Sequence, residues 1–378
     1  MTGAPARRRR RGRGRAVGLF ALAGAAVVLS ACGPEGVDDS APGDREARYR
    51  RVIEDPHPSP ADVIEAAGAP SDVVRADDGS LLLTYDAANV EDDEGPAATA
   101  WRIVGPDGRT VAEHAEHADA EDVPPAFKGV SGGFVRVPGD GGTYVLDVRG
   151  ERHQVTVTDT LSRTRRGDVL LSEGEPALVY RAATRTAAPP AGLPDEAVHF
   201  AVDERGTVWS LEQSLSEDPH RVVWQRDGRT LGSEAVPKSY GAAALVARGG
   251  TAALALALDE GVRGLLMTSD GGEHWRTVLA GGITWKDLKR GQELLVLEVL
   301  ADGRLLVGEE GGRHWLADDP TNSAFHELRT PARFTSLTVE GTTLYGLVDA
   351  TTATYDLVPD EGLWISDDGG REWRRMPG

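Results

Sequence analysis

The chain of 378 residues is short of several residue types, and each shortage excludes a class of structure. Its only cysteine, Cys32, rules out a disulfide within the chain. A domain of this length still folds without one, because its core is large enough. The longest apolar run, residues 16–29, has 14 residues, fewer than the roughly 20 that a membrane-spanning helix needs. The sequence contains no phosphate-binding loop, zinc signature or serine nucleophile elbow.

Basic charge is also scarce once the first residues are set aside. Seven of the 41 Lys and Arg residues are arginines within residues 1–15, and all 60 acidic residues lie further along. Residues 32–378 therefore have a net charge near −26. Such a surface repels phosphate backbones, so we expect no nucleic-acid partner. It also disfavours anionic sugars, unless a local basic pocket binds them. Arg outnumbers Lys 37 to 4, which together with abundant Ala and Gly suggests a high-GC bacterial source.

The first 31 residues have the layout of an export signal. A basic segment is followed by the short apolar run and by small residues, as in secretory signal peptides. The junction LSAC, residues 29–32, resembles a bacterial lipobox. The resemblance implies cleavage before Cys32, acylation of its thiol with palmitate-type chains, and attachment to the outer face of the cell membrane. The alternative is a plain secretory signal with a chance cysteine.

The residues after Cys32 predict a tether and a short helix before the main domain. Residues 33–47 are rich in Gly, Pro and acid without an apolar period, so we expect a flexible tether over residues 32–50. A helical lead-in is expected over residues 51–75. In it, Ser59 caps a helix, Pro60 takes its first position and Gly68 ends it.

From residue 76 onward the sequence predicts an all-β domain that extends to residue 378. Short runs that favour β-structure alternate with Gly, Asp and Pro turns, a pattern typical of a sandwich, barrel or propeller. These runs are residues 80–86, 143–150, 152–159, 168–173, 198–203, 207–213, 243–249, 252–259, 263–270, 293–300, 304–310, 334–341, 343–349 and 362–368.

A repeated eight-residue segment selects the propeller. TSDGGEHW, GEEGGRHW and SDDGGREW begin at residues 268, 308 and 366. Their acidic residues lie 40 and 58 residues apart, and we attribute the longer interval to an insertion around residues 321–334. Propeller blades of four strands repeat at about 40 to 50 residues. The spacing predicts about six blades, with seven as the alternative, in a chain that we expect to be monomeric.

The repeated segments resemble the Asp-box, or BNR repeat, Ser/Thr-x-Asp-x-Gly-x-x-Trp. The first and last copies match it in full, and the middle copy keeps only Gly and Trp, with Gly and Glu at the hydroxyl and Asp positions. The positions concerned are Thr268, Asp270, Gly272, Trp275, Glu310, Gly312, Trp315, Ser366, Asp368, Gly370 and Trp373. The resemblance implies a sialidase-like propeller whose Asp-boxes lie at the blade periphery.

The residue types of the segment favour a structural turn over a catalytic or metal site. The Asp accepts backbone N–H bonds inside the turn, and the glycines adopt positive φ without strain. The Trp is expected to pack its ring over the hairpin. His274 and His314 precede the Trp in two copies, which suggests a repeated surface position. Because enzymes, receptors and assembly factors share the Asp-box, it indicates fold and leaves function open.

A sialidase would need an arginine triad, a Tyr–Glu nucleophile pair and an Asp acid/base. Residues 101–106, WRIVGP, lack the proline of the family's N-terminal signature in its place. No motif distinguishes Tyr345 or Tyr355, so no catalytic residue is assigned. We therefore expect a non-catalytic binding or assembly module with a protein or glycan ligand. A glycoside hydrolase, exo-sialidase-like, is the alternative.

Two further clusters have structural and functional interpretations. His114, His117, Asp119 and Asp122 could bind a divalent metal, but we favour a solvated acidic loop between blades. Residues 163–168, RTRRGD, form either a turn or an anion contact, and we favour the turn. The sequence predicts neither a metal site nor a cofactor.

Overall fold

The computed structural model confirms an all-β propeller. It describes residues 42–88, 97–118, 126–137, 142–172, 177–193, 197–213, 219–258, 261–279, 281–285, 288, 295–348 and 360–376. Within these residues the strands form seven four-stranded sheets. Each sheet is one blade of the ring. Cys32, the signal segment, Asp119, Asp122 and Tyr355 lie outside the described residues.

The first three blades contain strands β1 to β12. Blade 1 consists of β1 (Asp72–Arg75), β2 (Leu81–Ala88), β3 (Ala97–Val104) and β4 (Thr110–Ala118). Blade 2 consists of β5 (Phe127–Val130), β6 (Gly133–Arg136), β7 (Tyr144–Asp147) and β8 (Arg152–Gln154). Blade 3 consists of β9 (Thr156–Val157), β10 (Val169–Ser172), β11 (Leu178–Arg181) and β12 (Thr186–Ala188).

The remaining four blades follow in chain order. Blade 4 consists of β13 (Ala197–Val202), β14 (Val208–Glu212), β15 (Arg221–Arg226) and β16 (Arg229–Ala235). Blade 5 consists of β17 (Gly241–Arg248), β18 (Thr251–Leu258), β19 (Gly261–Thr268) and β20 (Arg276–Val278). Blade 6 consists of β21 (Leu295–Val299), β22 (Leu305–Glu309), β23 (His314–Ala317) and β24 (Phe325–Glu327). Blade 7 consists of β25 (Ser336–Glu340), β26 (Thr343–Val348), β27 (Gly362–Ser366) and β28 (Arg374–Arg375).

The number of blades is seven, the alternative to the six that the spacing favoured. The estimate of about 50 residues per blade was too long for the early blades. Blade 2 occupies only residues 127–154, because its strands are three or four residues long. The insertion expected around residues 321–334 is also wrong, since β24, the outer strand of blade 6, lies there.

The third blade differs from the others in its strand order. Its sheet runs β10, β11, β12, β9, and β9 pairs with β12 in parallel. The run 152–159, expected as one strand, is therefore two, with β8 in blade 2 and β9 in blade 3. Strand β9 comes before the other strands of blade 3 in the chain and closely follows β8 of blade 2. It therefore links the two blades without a separate connecting loop.

The outer strand of blade 1 carried no clear sequence signal. The segment around His114 and His117, interpreted as a loop, is the outer strand β4. These two residues are three apart, so they project from opposite faces of the strand. His117 Nε2 lies 2.9 Å from the Ile53 carbonyl oxygen, and the ring of His114 lies 5.6 Å from that of Trp101. Both histidines therefore have structural contacts.

Two helices precede the ring, α1 (Pro42–Glu54) and α2 (Pro60–Ala67). The second begins as expected, with Ser59 Oγ accepting the Asp62 N–H at 3.2 Å and Gly68 at its end. The first corrects the predicted tether, because the chain is helical from Pro42. No helix in the described part of the chain is long and apolar enough to cross a membrane.

The helices cover the seam between blade 1 and blade 7. They share one apolar cluster with both blades, including Val63, Leu83 and Leu363. Arg45 of α1 forms a buried bidentate ion pair with Glu361, at 2.8 and 3.0 Å, and donates to the Ala67 carbonyl at 2.6 Å. Blades 1 and 7 also pack directly on each other in this cluster, and the helices and the ion pair reinforce that contact, since among the described residues neither blade takes a strand from the other.

Candidate functional site: the central channel

The first repeated turn, Thr268–Trp275, joins the third and fourth strands of blade 5. Thr268 Oγ1 donates to Asp270 Oδ1 at 2.8 Å and accepts the Gly272 N–H at 3.0 Å. Asp270 accepts the His274 N–H at 3.0 Å, and this bond, with bonds from the His274 and Thr268 side chains, lowers the pKa of Asp270 well below its usual range. These polar side chains bond to the backbone of their own turn.

The glycine and tryptophan of this turn contact the preceding blade. Gly272 has φ +96°, and a Cβ there would lie 2.5 Å from the Trp224 ring. The Trp275 ring lies 5.5 Å from that of Trp224 and 6.0 Å from that of Trp209, both in blade 4. The Trp therefore joins two blades, whereas the sequence predicted packing over its own hairpin.

The Ser366–Trp373 turn repeats this arrangement in blade 7. Ser366 Oγ donates to Asp368 Oδ1 at 2.9 Å and accepts the Gly370 N–H at 2.8 Å. Asp368 accepts the Glu372 N–H at 3.0 Å, the foremost of the hydrogen bonds that lower the pKa of its carboxyl. Both matching segments thus stabilise outer hairpins, at a distance from the inner strands.

The middle segment, Gly308–Trp315, lies elsewhere in its blade. It joins the second and third strands of blade 6, so it faces the opposite side of the ring from the other two, because successive hairpins of a meander alternate. A Cβ on Gly308 would lie 2.3 Å from the His314 ring. His314 is 2% exposed, and burial lowers its pKa to about 4. The expectation that His274 and His314 share one surface position is therefore wrong, since the His274 side chain is 85% exposed.

The other named residues of the middle segment also differ from an Asp-box. Gly312 N donates to the Glu309 carbonyl oxygen at 2.9 Å, which makes a simple backbone turn. Trp315 is 1% exposed and packs in the core between blades 5 and 6. Glu310, at the Asp position, lines a cavity of the central channel. This segment therefore shares the composition of the other two without their hydrogen-bond pattern.

Among the described residues, two cavities lie along the central channel, one toward each face of the ring. The lower cavity, about 660 Å³, is lined from all seven inner strands or their ends. Its lining includes the last residues of β1, β17 and β25, which are Arg75, Arg248 and Glu340. In blade 3 it includes instead the start of β10, at Val169. Strand β10 therefore runs against the other inner strands.

The charged residues of the lower cavity are four basic and six acidic. They are Arg75, Lys128, Arg166 and Arg248, with Asp77, Asp168, Asp203, Glu204, Glu298 and Glu340. Several of these charged residues already form ion pairs with other residues of the protein. Arg248 Nε pairs with Glu204 at 2.8 Å, and Asp168 pairs with Arg181 at 2.6 Å. Asp168 also accepts the Arg165 N–H at 2.8 Å, so RTRRGD is the predicted turn, with Arg166 at the cavity.

Glu340 is the most perturbed carboxyl of this cavity. Burial raises its pKa to about 7. Arg248 and Arg75 oppose that rise, whereas Glu298 and Asp77 add to it. A carboxyl that titrates near neutrality in a preformed cavity is a common property of binding and catalytic sites.

The upper cavity, about 350 Å³, is lined by the first halves of β17, β21 and β25. Its polar residues include His199, Glu298, Glu310, Ser336 and Thr338. His199 has φ +50°, within a register irregularity of β13, and burial lowers the pKa of its imidazole. Glu298 lines both cavities, so the two are adjacent along the channel.

The sialidase constellation is present only in part among the described residues. Three arginines, Arg75, Arg166 and Arg248, line the lower cavity, but no tyrosine lines either channel cavity. Tyr345 lies on β26, one strand outside the channel, where burial raises the pKa of its hydroxyl. It borders a separate 270 Å³ cavity that it shares with Arg75.

Two other features could hold ligands. A cavity of about 660 Å³ at the seam is lined mainly by apolar groups, including Ile64, Leu83 and Met376. Two groups of possible metal ligands, Asp147–Glu151–His153 and Asp270–Glu273–His274, lie in hairpin turns. In each, the Asp accepts backbone N–H bonds of its own turn.

Apart from Arg166 and Asp168 in RTRRGD and Glu310 in the middle segment, the charged channel residues were missed by sequence reasoning. They do have a shared signal, which is a charged residue inside the first strand of a four-strand unit. Arg75 in DVVR, Glu298 in LVLEV and Glu340 in SLTVE are examples. The signal becomes readable only once the first strand of each blade is known to be the inner one.

The comparisons with known proteins concern the fold. Neither a protein-family model nor a curated protein matches this chain. Among solved structures, it is similar to PorZ, a surface component of the type-IX secretion system of Porphyromonas gingivalis, at 14% identity and a TM-score of 0.49, covering 82% of this chain and 38% of PorZ. It is similar to a puromycin hydrolase at 14% identity and a TM-score of 0.48, covering 84% of this chain and 55% of the hydrolase. It is also similar to BamB from Moraxella catarrhalis at 13% identity and a TM-score of 0.40, covering 73% of this chain and 81% of BamB. The chain thus spans less than two thirds of the length of PorZ and of the puromycin hydrolase.

Proposed function

We propose that this protein is a lipid-anchored cell-surface propeller that binds a protein or glycan ligand in its central channel without catalysis. One observation carries the proposal: a preformed cavity to which all seven blades contribute, with charges of both signs. Its volume lies in the range of small-ligand sites. The repeated turns do not compete for this role, because their side chains bond within the turns.

A glycoside hydrolase of the exo-sialidase type is the second candidate. The three arginines of the lower cavity favour it, since a sialidase binds a substrate carboxylate with arginines. Against it, Arg248 already pairs with Glu204, and Tyr345 lies behind the inner strand. The mixed charge of the cavity fits binding better than an anionic-sugar site.

Activity of the full chain with Cys32→Ser, which leaves no thiol for acylation, separates the candidates. We expect no turnover of a fluorogenic sialoside or of a small glycoside panel, from protein shown by circular dichroism to be all-β. Turnover that Arg166→Gln abolishes, while the exposed control Arg229→Gln retains it, would replace the binding function by the hydrolase.

Anchoring is tested separately by the same cysteine. In a bacterial host, the native chain is expected in the membrane fraction and to incorporate labelled palmitate. The Cys32→Ser chain is expected in the medium or soluble fraction without label, because lipid attachment needs the thiol. Equal partition of both chains would contradict the anchor.

A further inference from the structure

The charges of the lower cavity are segregated around the ring. Consecutive blades 1, 2 and 3 contribute Arg75, Lys128 and Arg166, whereas consecutive blades 6 and 7 contribute Glu298 and Glu340. Blades 4 and 5, between them, contribute the Glu204–Arg248 ion pair at 2.8 Å. The cavity therefore has a basic sector and an acidic sector, separated on one side by a neutral pair.

The remaining carboxylates do not neutralise the basic sector. Asp168 is held by Arg181, with bonds of 2.6 and 3.0 Å. Asp203 accepts the backbone N–H groups of Arg205 and Thr207, each at 2.8 Å. Asp77 and Arg75, both of blade 1, act on the titration of Glu340 with opposite signs, so blade 1 stands where the two sectors meet. The negative charge next to Lys128 and Arg166 is thus already used in local structure.

The charges of the two sectors differ in their partners. The side chains of Lys128 and Arg166 make no hydrogen bond or ion pair with any residue that the structure describes, whereas Glu340 is attracted by Arg248 and Arg75. Arg75 reaches Thr343 Oγ1 at 3.5 Å and stands at the boundary of the sectors. Lys128 is half-buried, and a partly buried charge is costly unless paired, whereas Arg166 is exposed to solvent. A ligand with both an anionic and a cationic group would pair both sectors at once.

We propose that the lower cavity binds the two charged termini of a short peptide, its carboxylate against Lys128 and Arg166 and its ammonium group against Glu298 and Glu340. This deepens the proposed binding function and rests on it. The cavity of about 660 Å³ accommodates a ligand of this size. Charge-assisted hydrogen bonds at both ends supply the affinity, and the distance between the sectors selects peptide length.

The test is calorimetric titration of the full chain, with Cys32→Ser, at pH 7.5. The four probes are Ala-Ala-Ala, its N-acetyl form, its C-terminal amide and the doubly capped form. We expect the uncapped tripeptide to bind at least about tenfold more tightly than either singly capped form, because each cap removes one charge-assisted contact. Equal affinity for all four forms, or no binding of any up to 10 mM (a concentration on the order of the weakest useful affinity), would overturn the inference.

Matched variants locate each terminus. Glu340→Gln is expected to abolish the preference for the free amine and to retain that for the free carboxylate. Lys128→Met is expected to do the reverse. Glu273→Gln, in the exposed turn of blade 5, is the control and should leave both preferences unchanged. If all three variants bind like the parent chain, the peptide lies elsewhere and the assignment is wrong.

The experiments distinguish failure of the peptide assignment from failure of the proposed binding function. Turnover of a glycoside would refute the binding function itself. Absence of both turnover and peptide binding would refute only the peptide assignment and leave another ligand for the channel.

Discussion

Glu340 shows how the closed ring changes the pKa of a single residue. It ends the inner strand of blade 7, and burial raises its pKa from 4.5 to about 7. Between these two pH values the folded protein retains a proton that the unfolded chain has released. Stability contributed by the neutral acid is therefore complete below pH 4.5 and is lost as the pH rises through 7.

Glu340→Gln removes this loss, because glutamine stays neutral at every pH. We expect the variant to match the parent chain at pH 4.5 and to be more stable by about 1–3 kcal/mol at pH 8. Urea unfolding followed by Trp fluorescence at pH 4.5, 6 and 8 measures the difference. Glu273→Gln serves as an exposed control. A difference that is constant across this pH range would show that ionisation of Glu340 is not its cause.

At the scale of elements, the three repeated turns show that similar segments need not be equivalent hairpins. Two connect third to fourth strands and use a hydroxyl and an aspartate to bond the turn. The third connects second to third strands and has neither. Its glycine at the hydroxyl position is required, because the buried ring of His314 occupies the space that a side chain would take.

Introducing a hydroxyl side chain at position 308 of the middle turn should therefore destabilise the protein. Gly308→Ser is expected to cost about 1–3 kcal/mol through overpacking against His314. Ser366→Ala, at the equivalent sequence position of the last turn, is expected to cost about 1–2 kcal/mol because it leaves the Gly370 N–H without its acceptor. Urea midpoints at constant slope measure both changes. A stabilising Gly308→Ser would show that the middle segment can form the same turn as the others.

At the scale of the whole molecule, residues outside the blades reinforce the closure of the ring. Helices α1 and α2 pack over blades 1 and 7, and the Arg45–Glu361 pair is buried among them, with side chains 6% and 11% exposed. Its hydrogen bond and charge attraction from Glu361 outweigh the desolvation of Arg45, so the pKa of the guanidinium is raised.

Removing one partner should destabilise the seam more than removing both. Arg45→Met and Glu361→Leu are each expected to cost about 3–5 kcal/mol, because each leaves a buried charge unpaired. The double variant is expected to recover most of that loss. A double-mutant cycle by chemical denaturation checks this, with the exposed pair Arg50–Glu46 as control. Additive costs would mean that the two residues act independently.

The sequence by itself determined the class of the fold. All fourteen of the runs expected as strands contain strands, because alternating apolar residues and Gly, Asp or Pro turns encode β-hairpins locally. The turn chemistry of Thr268, Asp270, Ser366 and Asp368 was also predictable, since its hydrogen bonds span only a few residues. The helix capped by Ser59 was predictable for the same reason.

Only the tertiary structure decided the number of blades, the reversal of β10 and the composition of the channel. The short strands of blade 2 and the pairing of β9 with β12 depend on partners far along the chain, which no local pattern records. Lys128, Arg166, Glu298 and Glu340 come together from four blades, with about 40 to 130 residues between neighbours. Their common charge sectors arise from the circular arrangement of inner strands, which is a property of the closed ring and not of any segment within it.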